Sequence, residues 1–181
     1  MRKLKYHEAK LLRKVDLYSW KNDENIRVAK IMRRYLIQNR EDYTSYNRLA
    51  GMVKQLCSKL KTLKPDDKFR IEMTDQLLNK CCNMGLINST KSLKVAEEVT
   101  ASAFCRRRMS VVLVRMKMAE TLKLAVTFIE QGHIRVGPQV VTDPAFLISR
   151  SMEDFVTWVD SSKIRRTVQK YNDKLDDFDL L

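Results

Sequence analysis

A chain of 181 residues with 44% apolar content can bury one real core or two small ones. Four Gly and three Pro, set against abundant Leu, Met, Lys, Arg and Glu, predict long helices with a small sheet and exclude a disordered chain. The formal charge of +13 is concentrated in two stretches, with 17 basic and 6 acidic groups over residues 1–64 and 8 against 3 over residues 101–150. That skew predicts a polyanionic partner, because every phosphate neutralised releases condensed counterions.

No apolar run approaches the roughly 18 residues needed to span a bilayer, so a membrane role is not expected and an intracellular setting is. The four cysteines, Cys57, the pair Cys81 and Cys82, and Cys105, form no CxxC. Neither His7 nor His133 lies near any of them in sequence. They read as small hydrophobes on helix faces, and neither a metal nor a cofactor is expected.

In chain order, residues 25–64 read as a cationic helical hairpin. Apolar residues recur at three- and four-residue steps, and REDYTSYN (residues 40–47) is expected to interrupt them. Its polar faces carry Arg27, Lys30, Arg33, Arg34, Arg40, Arg48, Lys54, Lys59 and Lys61. Pro65, Asp66 and Asp67 form a turn, with Asp66 or Asp67 placed to cap a helix that runs from about Phe69 or Thr74 to Gly85, which can take the left-handed conformation that ends helices. LINSTKSL then connects. KVAEEVTASAF is expected to begin with a short helical turn and to end in a loop.

In CRRRMSVVLVRMKM (residues 105–118), Met109, Val112, Leu113 and Met116 fall on one helical stripe. Arg106, Arg107 and Arg108 fall in or beside the first turn, where cations oppose the helix dipole. Helix stability therefore does not explain them; phosphate binding does. Arg115 could instead pack along the helix and pair with Glu120.

Thr121 can cap a second helix, which ends at Gly132 with Leu122, Ala125, Phe128 and Ile129 on its buried stripe. The period then shortens to two. Ile134 and Val136 alternate with Arg135, Gly137 and Pro138 suit a type I or II turn, and FLIS (146–149) and FVTWV (155–159) are further strand candidates. Trp158 reads as core. Asp160 or Ser161 can cap a last helix, SKIRRTVQKY, ahead of the acidic tail NDKLDDFDLL.

Helix, short loop, helix, then GHIRV with a tight turn and VV resembles the RNA-binding domain first named for ribosomal small-subunit protein four, the S-four or alpha-L domain. The fold class expected is α+β: a basic, predominantly helical region over 1–100, an S-four-type domain with a small antiparallel sheet over 101–160, and a C-terminal helix and tail over 161–181. Carried over onto matching positions, the resemblance implies RNA-facing roles for Arg106, Arg107, Arg108, Arg115, Lys117, Lys123, His133 and Arg135. The His133 ring could equally cap its helix or pack beneath the hairpin.

Longer stretches, MRKLKYHEAKLLRKVD, REDYTSYN, TASAFCRRR, FIEQGHIRVGPQVVTDPAF, SMEDFVTWVDSSKI and DDFDL, are similar to the S-four-type proteins of the U3 small nucleolar ribonucleoprotein. This resemblance implies a nucleolar ribosome-assembly factor of the small-subunit processome, with U3 small nucleolar RNA and pre-ribosomal RNA as partners and the M-phase phosphoprotein ten scaffold holding it. A small-subunit ribosomal protein of the same family is the alternative. Appended enzyme chemistry is not expected, since there is no phosphate-binding G-x-x-x-x-G-K-[ST] loop and no glycine-rich dinucleotide fingerprint.

Overall fold

The computed structural model describes residues 2–14 and 22–174. Among these the chain forms α1 (Tyr6–Lys14), α2 (Asn22–Tyr35), α3 (Arg40–Thr62), α4 (Lys68–Asn83), α5 (Leu93–Glu97), α6 (Ala101–Cys105), α7 (Met109–Arg115) and α8 (Leu122–Glu130). Then follow β1 (Ile134–Val136), β2 (Gln139–Val140), α9 (Arg150–Glu153), β3 (Val156–Trp158) and α10 (Lys163–Tyr171). The mixed α+β class and the element order from α7 onward match the S-four expectation. Most of the acidic tail, residues 175–181, lies outside the described residues.

The helical hairpin breaks earlier than its composition suggests. Leu36 takes the left-handed conformation (φ 47°) directly after α2, and REDYTSYN forms the first turns of α3. The tyrosines decide this: Tyr43 and Tyr46 share a helical stripe with Ala50, Cys57 and Leu60, all of them buried. That apolar stripe outweighs the turn propensity of Asp42 and Ser45, each such burial being worth about 1.5–3 kcal/mol. Asp67 caps α4 as expected, its side chain accepting from the Phe69 N–H at 3.0 Å, and Gly85 follows α4 with φ 70°.

Two other expectations are corrected. TASAF is helical, forming α6, and α7 begins at Met109, so Arg106 and Arg107 lie in the turn between two helices and Arg108 is the cap residue. FLIS forms no strand. Leu147 makes a single antiparallel bridge with Arg108, flanked by Met109 N–H to Phe146 C=O at 2.8 Å and Ile148 N–H to Arg107 C=O at 2.9 Å.

Thr121 caps α8 by accepting from the Leu124 N–H at 3.3 Å, and Gly132 leaves that helix with φ 73°. The sheet has the order β2-β1-β3, wholly antiparallel, with Arg135 opposite Val140 on one side and Thr157 on the other. Gly137 has φ 58°, which rules out type I and II turns at the hairpin. Pro138 cannot take the positive φ of a type I′ turn, so the pair fits type II′. The last helix is capped by Ser162 rather than by its neighbours.

Two apolar clusters hold the fold. One gathers Tyr35, Tyr43, Tyr46, Cys57, Leu78, Cys81, Ala96, Phe104 and Cys105 from α2 through α6; the other gathers Met109, Val112, Leu113, Ala125, Ile129, Ile134, Ile148 and Val156 from α7 through β3. The arginine triplet is the covalent link between them. Among the described residues no helix is long and apolar enough to cross a membrane, and no group of three or more His, Cys, Asp or Glu could hold a metal ion.

Candidate RNA-binding site

Arg107 and Arg108 do not open onto solvent. Their relative exposures are 3% and 1%, and both guanidinium groups are taken up by partners across the seam between the two clusters. Arg108 donates to Asp42 Oδ2 at 2.8 Å and to Tyr46 Oη at 3.1 Å, and its guanidinium lies 6.0 Å from the centre of the Tyr46 ring. Burial works against the charge on Arg108, but the hydrogen bonds and charges of Asp42 and Tyr46 outweigh it and hold the proton more firmly than water does. The same burial pushes the Tyr46 phenol up. Arg108 Nε is left without a hydrogen-bond partner.

Arg107 donates from Nε and Nη2 to the Ile148 carbonyl at 2.8 and 2.6 Å and pairs through Nη1 with Glu153. Its guanidinium lies against Gly85, where an added Cβ would sit 2.7 Å from it. The same Glu153 oxygen, Oε1, also takes the more exposed Arg115. Burial pushes the Glu153 carboxyl up, yet the two guanidinium groups together hold it below its ordinary value.

The three arginines expected to face a phosphate together therefore do not do so in this structure, and Arg115 pairs with Glu153 rather than with Glu120. The sequence contains no acidic run near the triplet because its counter-charges come from 66 and 46 residues away along the chain. Only a folded structure brings Asp42 and Glu153 to it.

Arg106 alone of the triplet is exposed, at the edge of a hollow of about 240 Å³ that Glu98, Ser89 and Thr100 also line. Lys117, in a left-handed conformation (φ 61°) just after α7, and Lys123, in the first turn of α8, are exposed, with no acidic partner among the described residues. Arg135 is partly buried and bonds Thr157 Oγ1 at 3.1 Å and Asp160 Oδ2 at 2.8 Å, sharing Asp160 with Arg165. His133 is held at Ser162 Oγ, 3.0 Å from its Nδ1, and edge-on to Phe128. It locks the hairpin to the start of α10. Trp158 packs edge-on against Phe128 and belongs to the core.

The eight positions thus divide in two. Arg106, Lys117 and Lys123 present charge at the surface, joined by Arg115, which is exposed though paired with Glu153, while Arg107, Arg108, His133 and Arg135 are engaged inside the fold or along its edge. Tyr46, Asp42, Glu153 and Asp160, which position these cations, went unrecognised in the sequence. Arg150, missed as well, bonds the Ile87 carbonyl and Asn88 Oδ1 at 3.2 and 2.7 Å, tying α9 to the loop after α4.

A helical region joined by a polar seam to a two-helix, hairpin-bearing domain with surface cations defines a class, that of ribosomal S4-like proteins. Residues 3–106 match the family described as ribosomal protein S4/S9 N-terminal domain, and residues 107–154 match the S4 domain. The chain is 54% identical to the U3 small nucleolar ribonucleoprotein protein IMP3 of Homo sapiens, over 99% of this chain and 98% of that one. It is 52% identical to the protein of that name from Saccharomyces cerevisiae with the same coverage, and 26% identical to small ribosomal subunit protein uS4 of Picrophilus torridus over 80% of each chain. The chain belongs to the IMP3 family.

Proposed function

We propose that this chain is a non-catalytic, RNA-binding ribosome-assembly factor of the U3 small nucleolar ribonucleoprotein. It acts in the nucleolus within the small-subunit processome and promotes pairing of U3 RNA with pre-ribosomal RNA in early 18S rRNA processing. Its relation to proteins named for that particle carries the reading: identity of 52–54% runs the length of the chain, against 26% over four-fifths of it for a ribosomal uS4 protein. A role as a ribosomal protein is correspondingly the weaker alternative. The M-phase phosphoprotein ten scaffold is the protein partner we assign.

The physical mechanism is backbone and shape recognition. Exposed Arg106, Arg115, Lys117 and Lys123 supply contacts to phosphates, and the charge of residues 1–64 lowers the repulsion between two strands as they approach. Arg107 and Arg108 serve this function indirectly, by fixing the S-four-type domain against the helical region. Residues 1–64 also carry Tyr43, Tyr46 and the Arg108 partner Asp42, so this region contributes to the seam as well as to the charge.

The test is strand annealing. The full chain should accelerate pairing of labelled U3 and pre-ribosomal RNA segments, and reversing charges on the exposed face of α3 should slow annealing more than it weakens binding to one strand. Recovery of the protein in mature cytoplasmic ribosomes rather than nucleolar precursors would favour the ribosomal alternative.

A further inference from the structure

A cleft of about 410 Å³ lies between α2, α3 and the start of α6, well apart in sequence from the surface cations of the S-four-type domain. Arg27 and Lys54 stand on its walls, Asn47, Thr100 and Ser102 offer amide and hydroxyl groups, and Ile31, Tyr43, Ala50, Gly51 and Ala101 complete it. Among the described residues no acidic side chain lines it, and neither Arg27 nor Lys54 has an acidic partner. Two cations flanking neutral donors form the composition that suits a phosphodiester, which brings its own negative charge and accepts from every direction.

Gly51 is the second observation. It sits in the interior of the 23-residue α3, where glycine weakens a helix relative to alanine. A Cβ built there meets no atom within 4 Å, so no neighbouring helix approaches too closely for a methyl group, and its φ lies outside the positive region. The space that a side chain would fill is the cleft. Without a side chain at this position the wall of the cleft is bare helix backbone, against which a ligand strand could lie directly.

We infer that this cleft is a second RNA-binding site, which takes a phosphodiester segment with Arg27 and Lys54 on its phosphates and Gly51 allowing the strand to lie directly on α3. The inference rests on the RNA-binding reading above. It gives the helical region its own grip, so that two RNA segments can be held at once.

The experiment titrates the full chain with labelled U3 small nucleolar RNA transcript and follows thermal unfolding of the same variants. Gly51→Ala should raise Tm by a few degrees, since alanine suits an open helical position, and yet weaken RNA binding threefold or more. Arg27→Gln with Lys54→Gln should weaken binding about tenfold and lower the slope of log K against log salt by between one and two, with Tm little changed. Affinity within twofold of the parent in either variant overturns the cleft site, even where charge reversal at Arg106, Lys117 and Lys123 still abolishes binding. Failure of the parent chain to bind the transcript at all overturns the RNA-binding reading itself, and this site with it.

Discussion

Removing the Asp42 carboxylate leaves the Arg108 guanidinium charged and buried with Tyr46 Oη as its remaining side-chain partner. Asp42→Ala should therefore cost about 3–5 kcal/mol of stability, as measured by urea unfolding, whereas a cation lost from an exposed helix face costs under about 1 kcal/mol. Gly85→Ala is a companion case. Its φ of 70° costs a side chain about 1–2 kcal/mol, and the new Cβ meets a guanidinium that Ile148 and Glu153 hold in place. Cys105 tests burial from the other side. Its thiol is fully buried and pushed up to about 11, so it should resist alkylation at pH 8 until the chain unfolds. A thiol with its pKa raised in the fold adds stability that is complete below its ordinary value near 9 and is lost as pH climbs through about 11.

Single elements carry the next level of the account. Helix α9 is four residues long, yet its Glu153 closes both Arg107 and Arg115. Because the two guanidinium groups hold this carboxyl below its ordinary value near 4.5, its contribution is present above that value and is lost as pH falls through the depressed one. The urea midpoint should drop on acidification in this window, and Glu153→Gln should flatten the drop. Local signals read most elements correctly: the Asp67 and Thr121 caps, Gly85 and Gly132 at helix ends, and the period-two alternation of β1. The start of α3 and the arginine triplet read wrongly for one shared reason. REDYTSYN looks like a turn, and CRRR like an open helix mouth, until Asp42, Tyr46 and Arg108 are placed together, and that contact spans more than 60 residues. The exposed cations Lys117 and Lys123 were legible because nothing distant claims them. Arg107 and Arg108 were not, because their partners are tertiary.

At the scale of the molecule, two apolar clusters meet across a seam of buried arginine, carboxylate and tyrosine. Buried pairs of this kind add little net stability compared with apolar packing, but they fix one arrangement, since any slip of the seam strands a charge. We regard that as their role: the cationic surfaces of the helical region and of the S-four-type domain are held in one relative orientation, as the proposed contact with two RNA segments requires. The most direct test of this account is the salt dependence of U3 RNA binding by the full chain, compared with a variant carrying Arg106→Glu, Lys117→Glu and Lys123→Glu. The parent should lose roughly a thousandfold in affinity between 50 and 200 mM salt if about six phosphates are contacted, and the variant should bind far more weakly, with a slope shallower by about three. A variant that keeps both the affinity and the slope of the parent, while folded, would contradict it.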